Sequence, residues 1–331
     1  MMRFIDIERP GGPDVLKMKR GALPTFDQDE VLIQVAAAGI NRPDLLQREG
    51  LYPAPEGASP ILGLEVAGYV AAVGRDAAPW RVGQRVCALT NGGGYAEFVS
   101  VPAKQCMQVP DSLDFVTAAA LPEALFTIWS NVYERGALGV GETLLIHGGS
   151  GGVGSIAIQM ARITGARVYA TAGSEAKCRV CEKLGALRAI NYHEEDFVEV
   201  MKQITGRGVD VILDSVGGSY IQRNIQVAAK DGRIVNIAYQ QGSVAQVNFM
   251  PVMLKRLTLT GSTLRSRSPQ EKASIARHVS RKIWPAVLAE RIKPIIHKVF
   301  PLEEVVEAHR ELESGSVVGK IVLVTDKYGM F

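Results

Sequence analysis

The stretch 141–162, GETLLIHGGSGGVGSIAIQMAR, constrains this chain more than any other. Residues 143–146 are an apolar run that reads as a buried strand. It feeds directly into Gly149-x-Gly151-x-x-Gly154, and the small and apolar residues that follow have helical spacing. In this order, Gly149 permits a tight turn, Gly151 lets the backbone approach a pyrophosphate, and Gly154 lets the helix lie close on the strand. The N–H groups of the turn, from Ser150 through Gly151, Gly152 and Val153, then meet phosphate oxygens at the helix start. The implied ligand is a dinucleotide.

Glycine turns also arise from packing alone, so the context has to carry the reading. A strand at 167–171 begins where a right-handed crossover would deliver it, and 210–214 and 233–237 read as later parallel strands. LTLTGS at 257–262 would be the sixth strand of a doubly wound sheet.

With 331 residues and 47% hydrophobic content, the chain has enough material for two cores. The net charge of +3 leaves no electrostatic footprint of a dedicated nucleic-acid binder, and Lys255, Arg256, Arg265 and Arg267 read as a solvated basic face. Four scattered cysteines are too few for a disulfide framework, and Cys178-x-x-Cys181 reads as a pair of ordinary helix cysteines. The charged N-terminus lacks a signal-peptide core, and no run of about 18 apolar residues is evident. The expectation is a soluble, cytoplasmic protein without a membrane partner.

Residues 1–40 alternate β-like runs (4–7, 15–18, 31–38) with Pro and Gly punctuation. A short helix at 41–47 starts at an Asn41 N-cap, and a Pro-rich loop containing Tyr52 follows. Strands are expected at 61–73, 84–88 and 94–101, which together make a small irregular barrel. Helical grammar takes over at 115, through 118–121 and 123–134. Beyond the nucleotide fold come a helix at 270–289, strands at 297–300 and 321–324, and a helix at 302–312. These last pieces are expected to complete the first domain, giving a catalytic domain of 1–124 with 266–331 and a cofactor domain of 125–265.

This arrangement resembles the medium-chain dehydrogenase/reductase superfamily along nearly the whole chain. Gly141-Glu142, Leu144, Gly149 to Gly152, Gly154, Gln159 and Arg162 match the signature spacing of its zeta-crystallin-like quinone oxidoreductases, and the runs NRPDLLQREGLYPAPEGASPILGLEVAG and LDSVGGSY look similar to members of that group. The resemblance implies an α/β chain with a GroES-like β-barrel catalytic domain and a Rossmann cofactor domain. Zinc-dependent relatives place a Cys before Gly-x-Asp and a His in Gly-His-Glu. Here those positions read Ala38-Gly39-Ile40-Asn41 and Gly63-Leu64-Glu65. With only Cys87 and Cys106 in the first domain, no metal site is expected.

NAD selectivity calls for a carboxylate at the end of the second strand, about twenty residues past the glycine turn. That strand ends Thr171-Ala172-Gly173-Ser174, and Lys177 follows one helical turn later, where an ammonium suits a 2′-phosphate. NADPH is therefore the expected cofactor, and the resemblance adds Gly173 and Tyr192 to its pocket. Thr127 and the loop that starts at Tyr239 are further candidates, because ligands sit outside the carboxyl ends of the strands. By resemblance, Asn41 and Tyr52 flank the nicotinamide or the substrate, although Asn41 also suits a bare N-cap and Tyr52 a loop-packing role.

Hydride transfer to a conjugated electrophile spreads charge over a π system and needs little beyond positioning. The leading expectation is a zinc-independent NADPH:quinone oxidoreductase acting on ortho-quinones. Reduction of an activated alkene, an enoyl thioester or enone, makes similar demands. A third reading is an NADPH-binding protein that works through RNA or protein partners, as zeta-crystallin relatives imply. The exposed edge of 257–262 leads to an expected homodimer.

Overall fold

The computed structural model describes residues 1–325. It divides into two compact units: a barrel unit of Met1–Phe126, Arg265–Leu288 and the chain from Lys293 onward, and a Rossmann unit of Thr127–Leu264 and Ala289–Ile292. Residues 326–331, part of the expected completion of the first domain, lie outside the described residues.

The Rossmann unit is built on six parallel strands in the order Arg188–Asn191, Arg167–Ala172, Thr143–His147, Val209–Asp214, Ala228–Asn236 and Thr258–Gly261. The strand that feeds the glycine turn lies in the middle, and the winding reverses beside it. The crevice at the carboxyl ends of Thr143–His147 and Val209–Asp214 is thus the topological switch point, where open α/β sheets take ligands. Both central strands are fully buried, which is why they read as unbroken apolar runs. The fifth strand starts at Ala228, five residues before the expected 233. Lys230-Asp231-Gly232 looks like a turn in sequence, yet the chain stays in the ladder through a register shift.

In the barrel unit one long strand, Glu30–Gly39, organises a seven-stranded sheet. Its first half pairs with Phe98–Pro102, its last residues with Lys320–Val324, and its other edge with Glu65–Val73. Arg85–Leu89 and Cys106–Gln108 extend the sheet on one side, and Ile296–Pro301 closes it on the other. Pairing one strand with three neighbours forces strong curvature, and the enclosed core includes Val31, Ile33, Val35, Val66, Val70, Val86 and Leu323. This is the GroES-like barrel, with a separate hairpin of Met2–Ile7 and Leu16–Gly21.

Several expected elements change at their ends. The strand expected at 61–73 begins only at Glu65, because the Gly63 N–H donates to the Asp44 carboxylate instead of to a ladder. The strand expected at 94–101 begins at Phe98. The helix expected at 270–289 is two helices, Pro269–Lys282 and Trp284–Leu288, with Pro285 in the first turn of the second. One helical run, Phe115–Arg135, has the length and mean hydropathy (1.2) of a membrane span, although polar residues such as Glu123 and Asn131 interrupt it, so it is not an unbroken apolar run. Of its most apolar window 78% is buried inside the protein, as in a core helix.

Candidate functional site

In the Rossmann unit the glycine turn is held from below. Gly149 N–H donates to the Thr171 carbonyl (2.9 Å), and Gly151 takes the N-cap position of the helix Gly152–Ile163. A Cβ on Gly154 would stand 2.3 Å from the Gly148 carbonyl oxygen, so only glycine lets the helix sit this close to the turn. A Cβ on Gly151 would meet nothing nearer than 3.4 Å. That face is open, and the first-turn N–H groups of Gly152 and Val153 lack intrahelical acceptors, as an incoming phosphate requires. Ser150 is buried beside them.

A buried relay supports the turn. Asp214 accepts from Asn224 Nδ2 (3.0 Å), which turns Asn224 Oδ1 to His147 Nε2 (2.8 Å). His147 Nε2 therefore carries a proton, and Nδ1 accepts from the Thr171 hydroxyl at 3.1 Å. Burial holds the His147 pKa below its ordinary value and keeps the ring neutral, edge-on to Phe197 and Tyr220.

The second strand, Arg167–Ala172, ends without a carboxylate. Ser174 caps the helix Glu175–Leu184 by accepting from the Lys177 N–H (3.3 Å), which leaves Lys177 in the first turn. Tyr192 lies over Gly173, where a Cβ would come within 2.5 Å of its hydroxyl. Tyr192 and Tyr239 are 43% and 47% exposed, large aromatic surfaces left uncovered in this unit. Tyr239 begins a turn closed by Gly242 N–H to its carbonyl (2.9 Å). Thr127 is buried, and its carbonyl accepts from Ser130 and Asn131. The Rossmann unit thus contains Thr127, Ser150, Gly151, Gly152, Val153, Gly173, Ser174, Lys177, Tyr192 and Tyr239. Asn41 and Tyr52 belong to the barrel unit.

Asn41 is the N-cap residue of the helix Arg42–Arg48, and its backbone N–H donates to Asp44 Oδ2 (2.8 Å). Its side chain is tied in two further places, because Nδ2 donates to Glu65 Oε1 (2.8 Å) and Oδ1 accepts from Lys320 (2.6 Å). Lys320 also pairs with Glu65, whose second oxygen takes the Glu123 N–H (2.9 Å). A second buried chain runs from Arg48 to His309 Nδ1 (3.2 Å), from His309 Nε2 to the Tyr95 oxygen (3.3 Å), and from the Tyr95 hydroxyl to Asp44 Oδ2 (3.1 Å). Burial raises Asp44 to about 6, and burial with the Arg48 charge lowers His309 to about 3. Tyr52 is half-buried, with the Arg265 guanidinium carbon 5.7 Å from its ring centre.

Sequence reasoning missed Glu65, Lys320, Arg265 and the Asp44–Tyr95–His309 chain, since partners from 24 to 279 positions apart leave no local pattern. The expected solvated basic face is corrected for Arg265 and Lys255, while Arg256 is exposed as expected. Arg265 is only 5% exposed, and Lys255 is held by the carbonyls of Ile225, Gln226 and Ala228. Among the described residues no three His, Cys, Asp or Glu side chains gather in a way that could hold a metal. Cys178 and Cys181 are buried on their helix.

Residues 27–111 match the family described as alcohol dehydrogenase GroES-like domain, and residues 152–280 the one described as zinc-binding dehydrogenase. The donor set just described does not fit the zinc in that second description. The chain is 32% identical to the quinone oxidoreductase of Lama guanicoe, with 98% of each covered. It is 33% identical to a phenolphthiocerol/phthiocerol polyketide synthase of Mycobacterium tuberculosis, but spans only 15% of that protein's length. Among solved structures, Escherichia coli quinone oxidoreductase complexed with NADPH superposes with a TM-score of 0.85 at 29% identity, covering 98% of this chain and 100% of that one. The CurK enoyl reductase does so with a TM-score of 0.86 at 30% identity, covering 98% and 99%. With the barrel, the six-stranded sheet and the glycine turn in place, the chain belongs to the medium-chain dehydrogenase/reductase superfamily, among the relatives of the quinone oxidoreductases.

Proposed function

We propose that this protein is an NADPH-dependent, zinc-independent oxidoreductase that reduces quinones, ortho-quinones in particular. The observation that carries the reading is the end of the second strand. Gly173 and Ser174 stand where an NAD enzyme keeps its carboxylate, and Lys177 follows on the first helical turn. The open face of Gly151 and the closed one of Gly154 fit a pyrophosphate against the helix start. The NADPH held by the Escherichia coli neighbour supports the same cofactor.

Bound NADPH supplies a hydride. The chain's own residues supply position: Ser150 to Val153 orient the pyrophosphate, Ser174, Lys177 and Tyr192 the adenosine end, and Thr127 and Tyr239 further parts of the cofactor. In the barrel unit, Glu65 and Lys320 lock both ends of the Asn41 amide, so this side chain meets its ligand without reorganising. Asn41 and Tyr52 are assigned to the reacting groups. A homodimer belongs to the same reading. The edge strand Thr258–Gly261 is preceded by exposed Phe249, Met250, Met253 and Leu254, an uncovered apolar surface next to an unpaired ladder.

The similarity to the CurK enoyl reductase favours a second reading, reduction of an activated alkene. Loss of NADPH absorbance with an ortho-quinone, with NADH and an enoyl thioester run in parallel and a chelator present, tests both. Chelator-resistant, NADPH-selective quinone turnover is expected. Turnover of the thioester alone would move the protein to the alkene reductases.

A further inference from the structure

The barrel unit buries two cations that make no direct ion pair among the described residues, the Asp44, Glu123 and Glu271 carboxylates acting on them only from farther off. Arg265 is 5% exposed and Lys272 2%. Arg265 donates from Nε (3.2 Å) and Nη2 (2.9 Å) to the Asn91 carbonyl and from Nη1 to Gln47 Oε1 (2.7 Å). Lys272 donates to Asn91 Oδ1 and to the Arg265 carbonyl (2.7 Å). All these acceptors are neutral. They aim the two charges and leave part of each donor set unused, since guanidinium carries five N–H donors and ammonium three.

The carboxylates that act on the pair are engaged elsewhere or held off. Asp44 accepts from Asn41, Gly63 and Tyr95. Glu271 is turned to the Ser268 cap (2.8 Å). Glu123 hydrogen-bonds to neither cation, and burial next to Glu65 pushes it up to about 8, mostly uncharged at neutral pH. Burial also pulls Lys272 down to about 8, as expected of a cation short of compensation. An unpaired buried charge is strongly unfavourable, and an anion at this point would offset it with charge-assisted hydrogen bonds. Half-buried Tyr52, 5.7 Å away by its ring centre, has a hydroxyl that bonds to no described residue.

We propose that Arg265 and Lys272 form an anion subsite that takes a charged group, a sulfonate, carboxylate or ionised hydroxyl, on a conjugated carbonyl acceptor. The subsite deepens the quinone reading by naming the substrate class, and it rests on that reading only for its kinetic consequence. Two measurements separate them. By calorimetry, the wild-type protein is expected to bind naphthalenesulfonate at least tenfold more tightly than uncharged naphthalenesulfonamide, and Lys272→Met or Arg265→Gln to lose that preference. Equal affinity for the two compounds overturns the subsite, with no variant needed. In turnover, the ratio of kcat/KM for ortho-naphthoquinone sulfonate over ortho-naphthoquinone is expected to fall tenfold or more in Lys272→Met, and Lys272→Arg is expected to restore part of it. An unchanged ratio overturns the proposal. Sulfonate binding without quinone turnover would leave the subsite standing while the quinone reading fails.

Discussion

The ammonium of Lys320 lies 2.6 Å from Oδ1 of Asn41, although 279 positions separate them in the chain. Antiparallel pairing of Lys320–Val324 with the end of Glu30–Gly39 brings them together, and both are buried with fully enclosed Glu65. Replacing Lys320 by Met leaves the Glu65 carboxylate buried without its counter-charge. Such a loss costs about 3–5 kcal/mol. Urea unfolding of Lys320→Met is expected to record it, and a change below about 1 kcal/mol would mean that the pair contributes little.

Two glycines of the same turn should fail differently. Gly154→Ala drives a methyl group to 2.3 Å from a backbone oxygen and is expected to cost about 1–3 kcal/mol of stability. Gly151→Ala has room and ordinary backbone angles, so its stability should stay within about 0.5 kcal/mol of the wild type. Its methyl group instead occupies the face left for the pyrophosphate, and NADPH affinity should drop tenfold or more, about 1.4 kcal/mol. Thermal denaturation beside fluorescence titration distinguishes the two.

Lys177→Ala is expected to weaken NADPH binding by about tenfold, as the loss of one charge-assisted hydrogen bond implies. NADH binding should hardly change. Equal weakening of both cofactors would count against contact with the 2′-phosphate.

His309 makes stability depend on acid. Its folded pKa of about 3 lies below the ordinary 6.5, so on acidification the unfolded chain takes up a proton that the folded protein refuses. Stability from this residue is therefore complete above pH 6.5 and drains away as pH falls toward 3. Asp44, raised from 3.8 to about 6, works in the opposite direction and contributes less as pH climbs through that range. Denaturant midpoints for His309→Gln should show a shallower acid limb than wild type, and an identical limb would exclude His309 as its source.

Met253→Glu, placed on the exposed apolar surface before the edge strand, should shift the protein from dimer toward its 35.7 kDa monomer in light scattering. A wild type that already runs at the monomer mass at every concentration would refute the dimer.

Much of the Rossmann unit was legible in the sequence. Its strands are buried on both faces and so read as apolar runs, and a tight strand-to-helix turn of this kind needs glycines at fixed local spacing. The helix start with Ser174 as its cap and Lys177 in its first turn was legible for the same reason, since both are close in the chain. Strand ends were less so. Asp44 reaches nineteen positions along the chain to take the Gly63 N–H that a ladder would otherwise use, which delays the strand to Glu65.

The sequence by itself determined the two fold types, the dinucleotide turn and the missing carboxylate that points to NADPH, because each depends on periodicity or short-range spacing. Only the tertiary structure decided what Asn41 does with its side chain, that Arg265 and Lys272 are buried, and that His309 is held neutral between Arg48 and Tyr95. Those outcomes depend on which distant strands and helices pack together. A charge reads the same in sequence whether it ends in water or in a core, and its chemistry follows from the solvent and partners that folding leaves it.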